Sequence, residues 1–270
     1  MKKIFILIIW LPLTFTAYCG QNGAKRSAKT KTAANSSLPA HIQSDYKLVW
    51  NDEFEGKSLD LSKWNYRAEG TVRKYGVVSR NAISLDGKGN VLLKVTKDDA
   101  GKYFIGQLGT QGIFETTYGY FECRCEMNKQ LGPHVAFWLQ SAGFGKTGDF
   151  EKDGTEIDIF EYHRKTPGIV NHNLHWGGYG ANHKKSGVQI PFASIDSGFH
   201  TFGLEWIADA YVFYVDGVET WRSTSAVSHC KEYIILSAEL TGWGGDPALG
   251  NFPDAVTFDY VRVYKQKNQK

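Results

Sequence analysis

From Tyr46 onward the chain breaks into short apolar runs separated by turn residues. "KLVWNDEF", "NVLLKVT", "YGYFECRCEM", "VAFWLQ", "EIDIFEY", "HTFGLEW", "YVFYVDG", "EYIILSAEL" and "VTFDYVRVY" are each of strand length and rich in Val, Ile, Phe and Tyr. Several alternate apolar with polar positions, the period of a strand with one face in a core. Asp-Gly and Gly-rich punctuation such as "LDGKGN" and "VDGVET" supplies turns, the latter with the signature of a tight hairpin. No sustained helical period competes, beyond a short turn near "DLSKW". The pattern predicts an all-β fold of two packed sheets. The chain shows no internal repeat, no glycine loop of nucleotide-binding type and no cysteine-histidine metal cluster.

Composition agrees, with 14% aromatic residues, 29 glycines and only two methionines in 270 residues. The first forty residues are different in kind. "MKKIFILIIWLPLTFTAYCG" sets Lys2 and Lys3 before an apolar run too short to span a membrane, and reads as an export signal. Cys19 closes that run in a way that resembles the lipobox of bacterial lipoproteins. Tyr18 is bulky where such motifs carry a small residue, so lipidation at Cys19 and ordinary secretion both stand as expectations. "QNGAKRSAKTKTAANSSLPA" then reads as a flexible basic tether. The chain thus divides into an export segment at 1–19, a tether at 20–41 and a folded domain at 42–266.

Charge follows the same division. Six of the 31 basic residues and none of the 28 acidic ones precede His41, so the body holds 25 bases against 28 acids. Basic residues are not concentrated where a nucleic acid could bind them, which argues against such a partner. Beyond Cys19 only Cys123, Cys125 and Cys230 remain, an odd number that implies no disulfide framework. Cys123 and Cys125 share one face of a strand and read as core packing.

The stretch "GTEIDIFEYH", residues 154–163, places three carboxylates in a run otherwise suited to a buried strand. On a regular strand Glu156 and Asp158 share a face and Glu161 falls on the other. A β-bulge near Ile159 and Phe160 would return Glu161 to the first face, and bulges are frequent beside active sites. Four effective strand steps then part the two glutamate backbones by roughly 13 Å, and their arms would bring the carboxyls to about 5 Å. That is the spacing of a retaining glycosidase. Asp158 between them would hold Glu156 in place, and one of three clustered acids should stay protonated. The bland alternative is a solvated edge strand, but Ile157, Ile159 and Phe160 mark the strand as central.

"EIDIFE" resembles the E-x-D-x-x-E signature of glycoside hydrolase family 16, in the bulged form of laminarinase-like members. "LVWNDEFEG", "TYGYFECRCEM", "VAFWLQ", "FHTFGLEW", "YVFYVDG" and "DYVRVY" resemble the family in matching order, over about residues 46 to 265. The resemblance implies a curved β-sandwich jelly roll, concanavalin A-like, with an open substrate cleft across the concave sheet. It further implies that Glu156 is the nucleophile, Asp158 its assistant and Glu161 the acid/base. Trp138 matches a family position near the scissile sugar. The resemblance also implies a structural calcium on the convex side, held through backbone carbonyls at Glu53 and Gly89 and by the aspartate Asp259, and no cofactor for catalysis.

Aromatic side chains are expected to form sugar platforms around the acids. His175 is expected as a hydrogen-bond partner of the cluster, Trp176 as a cleft wall, and Trp243 in "TGWGGD" as a stacking ring. Trp64, Trp206 and Trp221 are assigned to the core or to hairpin packing. The expected activity is endo-cleavage of a β-1,3- or β-1,3/1,4-glucan by a monomer. A galactan-cleaving relative of agarase or carrageenase type and a catalytically silent lectin-like module are the alternatives. His163, Arg164 and Lys165, directly after the acids, are candidates for meeting sulfates on a galactan. The expected location is the bacterial cell envelope or the medium.

Overall fold

A computed structural model describes residues 38–267. Two sheets face each other across a core of apolar side chains. One has eight strands, and seven run in the spatial order Lys184–Pro191, Ile169–Trp176, Glu156–His163, Gly132–Ser141, Glu232–Gly244, Gln107–Gly109 and Asn65–Tyr66. The eighth, Glu115–Thr116, pairs with the middle of this array at Glu232 and Tyr233. The opposite sheet has eleven strands, centred on Gly119–Glu126 and Asp254–Gln266. All its pairings are antiparallel except that of Gly76–Val78 with Tyr103–Ile105. This is the all-β sandwich that the alternation predicts.

Alternation within each strand decides which side chain meets which environment. In Gly132–Ser141, Val135, Phe137 and Leu139 enter the core, and Ala136, Trp138 and Gln140 take the outer face. In Glu232–Gly244, Ile234, Leu236, Ala238 and Leu240 go inward, and Ser237 and Glu239 outward. Trp64 and Trp206 are fully buried, and Trp221 stacks on Phe213 with ring centres 4.8 Å apart. The predicted hairpin forms at Asp216–Gly217, where Val215 pairs with Val218 and both turn residues have positive φ.

Two short helices were not legible in the periodicity. Ala40–Asp45 buries Ile42, which packs with Tyr46 and Leu38. The packed body therefore includes Leu38, a few residues before the predicted boundary at 42. Phe150–Asp153 leads into the acidic strand, with Asp149 as its N-cap accepting from the backbone N–H of Glu151. Cys123, Cys125 and Cys230 are all free thiols. The predicted export segment and most of the tether lie outside the described residues, and so does Cys19. Among the described residues, no helix is long and apolar enough to cross a membrane.

Candidate active site

The acidic strand Glu156–His163 lies between Gly132–Ser141 and Ile169–Trp176. Its register with the latter runs Glu156 to His175, Ile157 to Leu174 and Asp158 to Asn173, then jumps so that Glu161 meets Asn171. On the other side Phe160 pairs with Phe137 and Asp158 with Trp138, which leaves Ile159 as the extra residue. Neighbours in sequence, Ile159 and Phe160 both enter the core. The bulge thus resets the alternation, and Glu156, Asp158 and Glu161 line one cavity of about 300 Å³. Their exposures are 6%, 4% and 8%.

The approach to the strand is tightly built. Asp153 accepts hydrogen bonds from the backbone N–H groups of Thr147 and Gly148, and its own carbonyl accepts from the Ser141 hydroxyl. Gly154 follows at φ 78°, and a Cβ there would lie 2.7 Å from Ser141 Cβ. Only glycine fits both the backbone and the space.

Each acid has its own surroundings. Burial pushes Glu156 up to about 7, against the hydrogen bonds it accepts from Tyr179 Oη and, at 2.6 Å, Gln140 Nε2. Asp158 is raised well above the usual carboxylate range by burial and by the charges of Glu161, Glu156 and Glu239. Burial would raise Glu161 too, but His134 and Asn173 outweigh it and hold the group low. His134 Nε2 lies 2.8 Å from Glu161 Oε1, an ion-pair distance. The ring is turned so that neither of its nitrogens completes a hydrogen bond by angle. Burial opposes charge on His134, and Glu161 more than offsets it. These shifts favour a proton on Asp158 and a second within the His134–Glu161 pair.

His175 joins the cluster as expected, with Nε2 3.5 Å from Asp158 Oδ2 and Nδ1 2.8 Å from His183 Nε2. Burial holds its pKa low, with the nearby charges of His183 and Lys185 adding to the effect. Ligand atoms of Glu156, Asp158 and His175 lie within 4.8 Å of one another, close enough to share a cation. Trp138, 8% exposed, forms a cavity wall, with its indole N–H donating to Ser237 Oγ at 3.1 Å and the Arg67 guanidinium 5.0 Å from its ring. Trp243 stands edge-on to His134 and His163, at 4.7 and 4.6 Å, and borders a second cavity of about 590 Å³. Glu161 lines both cavities, so the groove continues on either side of the acids.

Several expectations are corrected. Trp176 is on the core-facing side of its strand and packs against the apolar core, because an odd offset from Asn173 and His175 puts it on the other face. Arg164 binds Asp196 at 2.7 Å and lines neither cavity around the acids. His163 packs on Trp243, and Lys165 also lies outside those linings. Glu53 is held bidentately by Arg262 at 2.9 and 2.8 Å, and Asp259 Oδ2 accepts from Arg124 at 2.7 Å. A calcium ion here would be held by the backbone carbonyls of Glu53 and Gly89 and by the Asp259 carboxylate, beside these two guanidinium groups.

Sequence reasoning also missed residues. Stepping by two from Trp138 reaches Gln140 and His134, so alternation could have found them. Tyr179, among Gly177, Gly178 and Gly180, carries no such signal. Arg67 and Arg73 come from chain distant from the acids, yet both line their cavity. Arg67 donates to Gln107 Oε1 at 2.8 Å, and Arg73 Nε is buried without a hydrogen-bond partner among the described residues.

Residues 72–262 match the family described as Glycosyl hydrolases family 16. Glucan endo-1,3-beta-glucosidase A1 of Niallia circulans is 26% identical over 262 residues, covering 82% of this chain and 38% of that protein. Keratan-sulfate endo-1,4-beta-galactosidase of Sphingobacterium multivorum is 27% identical, covering 90% of this chain and 60% of that one. The chain thus spans between about a third and two thirds of the length of these curated relatives. Among solved structures, the laminarinase from Flavobacterium sp. UMI-01 superposes with a TM-score of 0.69 at 26% identity, covering 81% of this chain and 100% of that one.

Proposed function

We propose, from the premise that the chain belongs to family 16 of the glycosyl hydrolases, that it is a retaining, endo-acting glycoside hydrolase of a β-linked polysaccharide. The observation that carries this reading is the bulge that sets Glu156, Asp158 and Glu161 on one face of an open groove. In the first step Glu156, ionised, attacks the anomeric carbon while a proton passes from Glu161 to the departing glycosidic oxygen. That proton is already in the His134–Glu161 pair, and its transfer across the contact leaves the pair's net charge unchanged. Water then attacks the glycosyl ester, giving its proton back to Glu161 and releasing Glu156. Asp158, protonated, spares the strand a third negative charge. The groove on both sides of Glu161 suits binding in the middle of a chain.

The glucanase and laminarinase relatives support a β-1,3- or β-1,3/1,4-glucan as the substrate. A second reading, an anionic galactan, is favoured by Arg67 and Arg73 in the acid-lined cavity and by the keratan-sulfate relative. Release of reducing ends from laminarin, barley glucan, xyloglucan, agarose, carrageenan and arabinogalactan separates the two. Proton NMR of the first product gives the stereochemistry, and an inverted sugar overturns the retaining mechanism. Binding without cleavage of any member moves the reading to a lectin-like module. Export, with lipid attachment at Cys19, remains part of the proposal, and Cys19→Ser should release a membrane-bound protein.

A further inference from the structure

We infer that His172 is a positioning residue for Glu161, which it serves by holding the β-bulge closed from the core side. The inference rests on the acid/base reading of Glu161. His172 is fully buried on the core face of Ile169–Trp176, flanked there by Val170 and Leu174. A polar ring in that row needs partners, because a buried unpaired donor or acceptor is costly. It finds two. Nδ1 lies 2.7 Å from the carbonyl oxygen of Ile159, and Nε2 lies 3.0 Å from Thr220 Oγ1.

The first partner is the bulged residue itself. The register gives Ile159 no partner residue on either adjoining strand, so its carbonyl is met by a side chain. A carbonyl only accepts, which places the ring hydrogen on Nδ1. Burial holds the imidazole neutral, with its pKa pushed down to about 4, so Nε2 carries no hydrogen and accepts from the Thr220 hydroxyl, which also lies 3.1 Å from the Phe213 carbonyl and divides its one hydrogen between the two. The ring thereby ties the bulge to the strand Val218–Ser223 of the opposite sheet. Phe213 packs on the ring at 4.9 Å and limits its rotation. From the groove side, Asn171 Nδ2 donates to the carbonyl of Glu161 at 3.2 Å. Carbonyls two residues apart are thus gripped from opposite faces. With the His172 grip gone, Ile159 can slip back toward regular pairing, and that slip turns Glu161 away from the groove.

A misplaced acid has a signature distinct from a weakened fold. The substrates are the polysaccharide that the wild-type enzyme cleaves and a dinitrophenyl β-glycoside of the disaccharide it releases, whose leaving group needs no proton. For His172→Leu we expect kcat on the polysaccharide to fall about 100-fold with KM little changed, the scale of an ångström-sized misplacement. Glycosylation by the aryl glycoside should fall less than about threefold, and azide should restore its turnover with a retained glycosyl azide. In His172→Asn the amide N–H can reach the same carbonyl and should keep kcat within about fivefold. Equal losses on both substrates, a loss confined to KM, or an unaltered His172→Leu enzyme overturns the inference. If His172→Leu does not fold, Thr220→Val and Thr220→Ser decide. The serine variant should match wild type and the valine variant should show the leaving-group-dependent loss; a uniform loss, or none, overturns the inference. Wild-type turnover and the azide response of Glu161→Ala test the underlying reading separately.

Discussion

Tyr179 donates its phenolic hydrogen to Glu156 Oε2, and that bond works against the burial that lifts Glu156 to about 7. Glu156 must be ionised to attack, so activity should fall as pH drops through that value. Tyr179→Phe removes a lowering influence, so the pKa of Glu156 rises and the acidic limb of kcat/KM moves to higher pH. One pKa unit corresponds to about tenfold in ionised fraction on that limb, and the loss should fade at higher pH. An unmoved limb in a pH-rate titration would remove Glu156 from the nucleophile role. The alkaline limb belongs to the His134–Glu161 pair. His134 titrates above its ordinary 6.5, so the pair keeps its proton past that pH and activity declines only when the proton is lost. The two glutamates separate by stereochemistry as well. Both Glu156→Ala and Glu161→Ala should lose about 10²–10⁴-fold on polysaccharide. With azide and an activated aryl glycoside, Glu156→Ala should give the inverted azide and Glu161→Ala the retained one. Opposite products would exchange the assignments.

At the scale of the element, the acidic strand depends on how it begins as much as on its bulge. Gly154 turns the chain at φ 78° immediately against Ser141, whose hydroxyl binds the Asp153 carbonyl. Alanine there meets two costs, about 1–2 kcal/mol for a left-handed residue and about 1–3 kcal/mol for overpacking. Gly154→Ala should therefore lower the thermal midpoint markedly and reduce kcat, since Glu156 is two residues on. A midpoint equal to wild type would show that this turn can relax at no cost. Gly180 makes a useful control, because a Cβ there meets nothing within 4 Å and its φ is not in the strained range.

Across the whole molecule, the sheet opposite the groove is stitched by ion pairs beside the place where calcium is expected. Arg262 and Asn51 outweigh burial and keep the Glu53 carboxyl below its ordinary range, so that the group is anionic and paired at neutral pH. Calcium held through backbone carbonyls would leave the Arg262–Glu53 pair in place and would share Asp259 with Arg124. If calcium is held there, millimolar calcium should raise the thermal midpoint and a chelator lower it, and Arg262→Met should lower it independently, because it strands Glu53 in partial burial. A midpoint indifferent to calcium and chelator in differential scanning fluorimetry would remove the ion from this face.

Local pattern determined a good deal by itself. Period-two alternation, the Asp216–Gly217 turn and the density of Val, Ile, Phe and Tyr suffice for an all-β sandwich, because burial on one face of a strand is a short-range constraint. The same parity argument exposed the acids, since three carboxylates in a central strand fall on one face only through a bulge. Parity could also have placed Trp176 in the core, where odd spacing from His175 puts it. Tertiary structure alone decided which distant groups meet that face. Tyr179, Arg67 and Arg73 arrive on segments whose neighbours in sequence say nothing of the acids. The partners of Glu53 and Asp259 lie on other strands, and a carboxylate reads the same in sequence whether it meets a cation or a guanidinium. Side-chain charge is a property of the residue, but its protonation depends on burial and on neighbours brought in from elsewhere in the fold. That is why three acids in one short run could be recognised early, and why their unequal hold on protons emerged only when the strands were assembled.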